Sequence, residues 1–381
     1  MSFIAGMMVS MRKLITDMTK IGFVGLALII AALPAKADVL IGLAAPLTGQ
    51  YAVFGEQMRR GAEEAVLDLN AKGGILGEKI TLHTYDDACD PRQAVSVANQ
   101  MVGAGIKFVV GHFCSGSTIP ASKIYNDENI LMITPASTNP LITEQGFGSV
   151  FRISGRSSQL GPVLAHYMIK HFSDRKIAII QDQTSYGQSL ADETKKALNA
   201  GGIKEILYDS YSPGQRDYSA LVSRLKQIGT QVLFIGGYHT EIGLITRQLK
   251  EQGADIQIVT GNALTTSEFW SIAGKAGEGT LMAYGPDPRE NAGAAAPVKA
   301  LRKSGFEPEG NTLYTYAAFE VIAEGIKRAG DADPTKVSSV LKQSPINTVF
   351  GPISFDAMGD MTGFYFQMYR WHNGKYQKIE D

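Results

Sequence analysis

The chain predicts an α/β protein made of two doubly wound parallel-sheet units. Three observations carry that prediction. Short apolar runs of strand length alternate with amphipathic stretches of helix length, the pattern of parallel sheets covered by helices. The alternation breaks once, near 150–155, and then starts again. At 381 residues the chain also exceeds what one core usually encloses, so two units are expected.

The elements follow in order. A strand is predicted over 39–45, a helix over 55–72 and a strand over 80–85. Asp90-Pro91 then opens a helix: the acid caps it, and proline sits at the first helical position, where its missing N–H costs nothing. That helix runs to about 102 and ends in Gly103-Ala104-Gly105. Strands over 108–110 and 131–134, with a helix over 119–128 between them, complete the first set. The second set has strands over 176–181, 206–211, 232–236 and 256–260, with helices over 190–200, 218–228 and 240–252. Tyr284-Gly285-Pro286-Asp287-Pro288 is rich in turn residues and reads as a return crossing. Helices over 297–304, 314–329 and 334–342 follow, and Gly351, Gly359 and Gly363 punctuate extended segments at the end. No tandem repeat is visible, and the one biased tract is 292–296.

Composition narrows the function. Apolar residues are 44% and charged residues 19%, ordinary for a globular protein. Arg12, Lys13 and Lys20 precede an apolar run over 21–33, followed by Ala35-Lys36-Ala37. A basic region, a short apolar region and a small-x-small site make a secretory signal over 1–37, so the mature chain would begin at Asp38. The alternative is an uncleaved anchor helix. Without that segment 32 Lys+Arg face 36 Asp+Glu, a net charge of −4, and no basic stripe offers itself to nucleic acid. Cys89 and Cys114 are the two cysteines. In an exported chain a lone pair suggests one disulfide, worth roughly 3–4 kcal/mol for a loop of that size. Two free buried thiols are the other reading.

One segment stands out. Gly111-His112-Phe113-Cys114-Ser115-Gly116-Ser117-Thr118 follows the apolar Phe108-Val109-Val110 and precedes a helix. Free N–H groups at a helix start, with the dipole behind them, attract anions. The spacing mimics a phosphate loop, but Ser117 stands where that motif needs Lys, so nothing reaches the outer phosphates. The segment fits a smaller anion, a carboxylate. An ordinary helix cap with a half-buried cysteine is the plainer reading, and both stay open.

Enzyme motifs are scarce. No Gly-x-Gly-x-x-Gly follows a strand, and six scattered His residues show no metal-ligand spacing. Gly187-Gln188-Ser189-Leu190-Ala191 falls one residue short of a nucleophile elbow. Tyr85-Asp86-Asp87-Ala88-Cys89-Asp90 is a tight acid cluster, which reads as turn chemistry plus a helix cap. Acid–base chemistry by Asp86 and Asp87 is its rival reading, and it would make the chain a periplasmic hydrolase.

At Tyr85–Pro91 and Gly111–Ser115 the chain resembles the periplasmic leucine/isoleucine/valine-binding proteins of ABC importers. The likeness continues through Thr134-Pro135-Ala136, Tyr186-Gly187, Gly236-Gly237-Tyr238-His239, Thr315-Tyr316-Ala317-Ala318 and Phe350-Gly351-Pro352, in order along the mature chain. It implies a type I periplasmic binding protein, two lobes joined by three hinge crossings. The lobes would be 38–155 with 285–360, and 156–284 with 361–381. It implies a receptor rather than an enzyme, a monomer that traps an amino acid between its lobes and delivers it to a membrane permease, with no cofactor and no metal. A sensor acting on a signalling partner is a third reading.

The resemblance also assigns roles. Ser115 and Thr138 would hold the ligand carboxylate, and the Ala136 carbonyl would face its ammonium. Phe113 and Cys114 would line the pocket, Phe54 would pack on the side chain, and Tyr186 and Tyr238 would close from the second lobe. Cys89 and Cys114 would form a disulfide that braces the Ser115 loop. Asn262 falls where the family supplies a Glu to the ammonium, and Asn311 where it tends to carry an aromatic. A neutral amide gives no countercharge, so another acid must compensate or the ligand differs. A γ-amino acid or an amide is the ligand that such a pocket would otherwise favour.

Overall fold

The computed structural model describes residues 38–380. The predicted export segment, 1–37, lies outside the described residues.

The first sheet holds β1 (Val39–Ala45), β2 (Ile80–Asp86), β3 (Phe108–Gly111), β4 (Leu131–Thr134) and β5 (Val150–Arg152), in the order β2-β1-β3-β4-β5 and parallel throughout. Its helices are α1 (Ala52–Ala71), α2 (Pro91–Gly103), α3 (Ser115–Asp127) and the short α4 (Leu141–Glu144). The continuous apolar runs have a simple cause. Every residue of β3, β4 and β5 is buried, because helices cover both faces of the sheet.

The second sheet comes from β6 (Ile177–Gln181), β7 (Leu207–Ser210), β8 (Val232–Gly236), β9 (Gln257–Thr260) and β10 (Leu281–Tyr284), with α5 (Ser157–Phe172), α6 (Ser185–Ala200), α7 (Ser219–Gln227), α8 (His239–Glu251) and α9 (Ser267–Ala273). Then come α10 (Ala295–Lys303), α11 (Thr312–Ala329) and α12 (Pro334–Leu341). Of these, α11 packs along α1 of the first unit. A small pair, β11 (Ile346–Thr348) and β12 (Gly351–Ile353), precedes β13 (Gln367–His372) and β14 (Lys375–Lys378), which extend the second sheet, β13 antiparallel to β10 and β14 antiparallel to β13. The full order is β14-β13-β10-β9-β8-β6-β7.

The structure corrects several expected boundaries. Val150–Arg152 pairs with β4 and adds a fifth strand to the first sheet, one the sequence pattern does not suggest. Helix α3 begins at Ser115, four residues before the amphipathic pattern suggests, with extended Cys114 as its cap residue. Helix α6 begins at Ser185, because the Thr184 hydroxyl accepts from Gly187 N at 3.0 Å and caps that turn. Helix α5 and strands β10, β13 and β14 are elements the sequence reading does not give.

Candidate functional site

The predicted residues come from the carboxyl ends of parallel strands, where open α/β sheets bind their ligands. Phe113 and Ser115 follow β3, Ala136 to Thr138 follow β4, Tyr186 follows β6, Tyr238 follows β8 and Asn262 follows β9. A cavity of about 20 Å³ gathers Phe113, Ser115, Ala136, Ser137, Tyr186, Tyr238, Asn262, Ala263 and Asn311. That is space for about one water, so the two sides stand nearly in contact. A larger groove of about 750 Å³, along Pro162–Lys170 and Gln367–Glu380, contains none of these residues.

The first-sheet side is a hydroxyl-rich platform. Ser115 is the first residue of α3 and is buried, and its Oγ accepts from Asn139 N at 3.3 Å. The Thr134 hydroxyl donates to His112 O at 2.9 Å and accepts from Ser137 N at 3.1 Å, which fixes the Thr-Pro-Ala turn. Ser137 Oγ donates to Phe113 O at 2.8 Å, tying the two loops together. Thr138 lies outside the cavity lining, and its Oγ1 meets Ser157 Oγ at 3.0 Å. Phe54 stands behind the lining, stacked on Phe113 with ring centroids 4.4 Å apart.

Two cross-links brace this platform. A Cys89–Cys114 disulfide, Cα atoms 5.5 Å apart, joins the loop after β2 to the cap of α3. Cys114 thus acts through the loop, and it does not line the cavity. Beneath it, buried Asp87 meets His112 Nδ1 at 2.5 Å, and His112 Nε2 lies 3.0 Å from the Tyr125 hydroxyl. The acid cluster is therefore turn chemistry. Asp86 accepts from Leu47 N and Ala88 N, Asp87 accepts from Cys89 N, and Asp90 caps α2.

The second-sheet side is aromatic. Tyr238 stacks obliquely on Tyr186 at 5.0 Å and on Tyr51, from the first side, at 4.5 Å. The Tyr186 hydroxyl donates to Asn262 Oδ1 at 2.9 Å. Burial, and then the charge of Asp182, push the Tyr186 phenol well above its ordinary value, so it remains a donor. Gly261 permits this approach, because a Cβ there would lie 2.4 Å from Leu190 Cδ2 and 2.7 Å from Tyr186 Oη. Asn139 Nδ2 donates to Ser185 O at 2.7 Å, and Gln57 bridges Thr265 O and Asn311 N at 3.1 and 3.0 Å, so both sides are also hydrogen-bonded directly.

The family likeness puts Asn311 near the pocket, and it lines the cavity; sequence reasoning missed Ser137, Ala263 and Asp182. Asp182 directly follows β6 and is buried, with Oδ1 accepting from Thr184 N at 3.0 Å and from its hydroxyl at 2.6 Å. Burial outweighs those bonds, and with the nearby Glu241 charge it lifts the carboxyl to about 6. No group of His, Cys, Asp and Glu among the described residues is placed to hold a metal ion.

A family model of periplasmic binding proteins matches residues 38–375. The Leu/Ile/Val-binding protein homolog 1 of Brucella suis biovar 1 (strain 1330) is 49% identical over 350 residues, 91% of this chain and 94% of that one. An amino acid binding protein of Pseudomonas aeruginosa is 44% identical over 349 residues, 91% of this chain and 93% of that one. Among solved structures, a leucine binding protein from Thermotoga maritima MSB8 matches with a TM-score of 0.83 at 26% identity, over 90% of this chain and 98% of that one.

Proposed function

We propose that this chain, which belongs to the periplasmic binding protein family, captures a branched-chain amino acid between two closing lobes and delivers it to an ABC permease. Its fold is the type I periplasmic binding protein fold, and its family binds and carries ligands rather than transforming them. The observation that carries the reading is the cavity that brings Ser115 and Ala136 against Tyr186, Tyr238 and Asn262.

The lobes are 38–155 with 285–360, and 156–284 with 361–381. The ligand carboxylate meets the start of α3 and the Ser115 hydroxyl, where the helix dipole favours negative charge. The Ala136 carbonyl faces the ammonium. Tyr186, Tyr238 and Asn262 then swing in by a hinge motion. Closure excludes water and strengthens each polar contact. The ligand must bind the closed form better than the open one, and that difference is what a permease reads. Micromolar affinity needs about −8 kcal/mol. The export segment over 1–37 would place a monomer in the periplasm. The Asn262–Tyr186 bond at 2.9 Å favours a second reading, a γ-amino acid or an amide, because it leaves no formal charge for an ammonium at that position.

Thermal unfolding of the purified chain tests this, scanned against leucine, isoleucine, valine, the other common amino acids and γ-aminobutyrate. A ligand at a hundred times its dissociation constant stabilises by about 2.7 kcal/mol, a shift of a few degrees. Shifts confined to the branched-chain set support the first reading, and a shift with γ-aminobutyrate alone supports the second. No shift with any of them sinks both.

A further inference from the structure

Behind Tyr238 lies a group of polar atoms that the binding scheme does not use. Asp182 Oδ2, Glu241 Oε2 and Tyr211 Oη are buried, and none has a hydrogen-bond partner. Asp182 and Glu241 are 0% exposed and Tyr211 is 5% exposed. The other oxygen of each acid is committed, Asp182 Oδ1 to Thr184 and Glu241 Oε1 to Gly214 N at 2.9 Å. Gly237 marks where Asp182 and Tyr211 converge. A Cβ built there would lie 2.1 Å from Tyr211 Oη and 3.1 Å from Asp182 Oδ2, so both atoms point at one bare stretch of backbone.

The negative charge of this group reaches the cleft. Both carboxylates bear on the Tyr51 phenol, and Asp182 bears on Tyr186 and Tyr238. Tyr51 stacks on Tyr238 across the two sides, ring centroids 4.5 Å apart. Drawing the two sides apart separates that pair. Buried acceptors without donors are costly, so the fold holds here an arrangement that a donor-rich cation would complete. A protonated nitrogen bearing two or three N–H groups matches two carboxylate oxygens and a phenol.

We propose that Asp182, Glu241 and Tyr211 form a second subsite that accepts the distal cationic nitrogen of a basic amino acid, of the lysine or arginine class. The proposal rests on the reading of the cleft as an amino-acid site. It extends the ligand range from apolar side chains to long basic ones, whose α-carboxylate still meets Ser115 while the distal cation reaches past Tyr238.

Isothermal titration of the purified chain with arginine, lysine and leucine, at pH 7.5 and fixed ionic strength, tests it. The expected result is binding of at least one basic amino acid that Glu241→Gln weakens tenfold or more and Tyr211→Phe weakens severalfold, with leucine binding unchanged in both variants. Unchanged leucine binding also shows that the variants fold. Leucine binding without any binding of arginine or lysine overturns the subsite and leaves the proposed function standing. Basic amino acids that bind equally well to Glu241→Gln overturn it too. So does a heat signal that sodium or potassium chloride alone reproduces, which would make the group an inorganic cation site. No binding of any amino acid removes both the subsite and the reading beneath it.

Discussion

Both sides of the cleft bury charge, but they treat it differently. On the first-sheet side the buried Asp87, Arg152 and Asp360 are all partnered. Asp87 meets His112 at 2.5 Å, and Arg152, 0% exposed, meets Asp360 Oδ1 at 2.6 and 2.8 Å. Arg156 and Thr143 complete the Asp360 network at 3.1 and 2.9 Å. On the second-sheet side Asp182 and Glu241 each keep one oxygen without a donor. Closed networks fix a platform, while open acceptors keep affinity for something that arrives. The first side is held by paired charges, and the second keeps two carboxylate oxygens open.

The largest expected effect breaks a closed network. Asp360→Ala strands the Arg152 guanidinium in a dry interior. Removing one partner of a buried pair costs about 3–5 kcal/mol, so the urea midpoint should fall sharply. A loss below about 1 kcal/mol would mean that water reaches Arg152 and that this side is no more closed than the other.

Asp182→Asn should act with the opposite sign. The Asp182 carboxyl stands at about 6 against an ordinary 3.8. A carboxyl raised in this way holds its proton more tightly folded than unfolded. The stability it lends is complete below the unfolded value and is lost as pH rises to about 6. Carrying the charge at pH 7.5 therefore costs up to about 3 kcal/mol. The amide removes that cost and can keep the Thr184 bonds, so the variant should be about 1–2 kcal/mol more stable at pH 7.5 and show no gain at pH 4.5. Urea midpoints at the two pH values decide it. Equal effects at both would show that Asp182 is neutral or well paired when folded.

Ser115→Ala should leave stability alone and reduce affinity. Its oxygen has one long internal bond, to Asn139 N at 3.3 Å. A hydrogen bond to a charged ligand contributes about 1.5–3 kcal/mol, so leucine affinity should fall about tenfold or more in calorimetry. Unchanged affinity would remove Ser115 from the carboxylate.

What was legible in the sequence follows the same division. Strands buried on both faces leave continuous apolar runs, so β1, β3, β4 and β8 could be read almost to the residue. Strand β5 hid because it has three residues and ends in a buried arginine, which reads as surface. Helix α5 hid behind Gly161 and Pro162, both breakers on a propensity scale. Ser115, Ala136, Tyr186, Tyr238 and Asn262 emerged from the family likeness, and the structure gathers them around one cavity. Asp182 and Glu241 did not emerge. An acid at a strand end or in a first helical turn reads as a cap, and only three-dimensional packing reveals that its second oxygen has no partner.

The smallest expected effect is the sharpest test of where the ligand ammonium finds its countercharge. Asn262 Oδ1 already accepts from the Tyr186 hydroxyl, and Asp182 lies close enough to Tyr186 to raise its phenol. Asn262→Asp would give the ligand a charge-assisted bond, but it would also set a second negative charge in the field of the first. Those effects oppose each other, so leucine affinity should change by less than about threefold, under 1 kcal/mol. Tightening of tenfold or more would mean that the ammonium sits at position 262 and that Asp182 is too distant to serve it. The asymmetry between the two sides would then describe how the fold is held together, and not how it recognises its ligand.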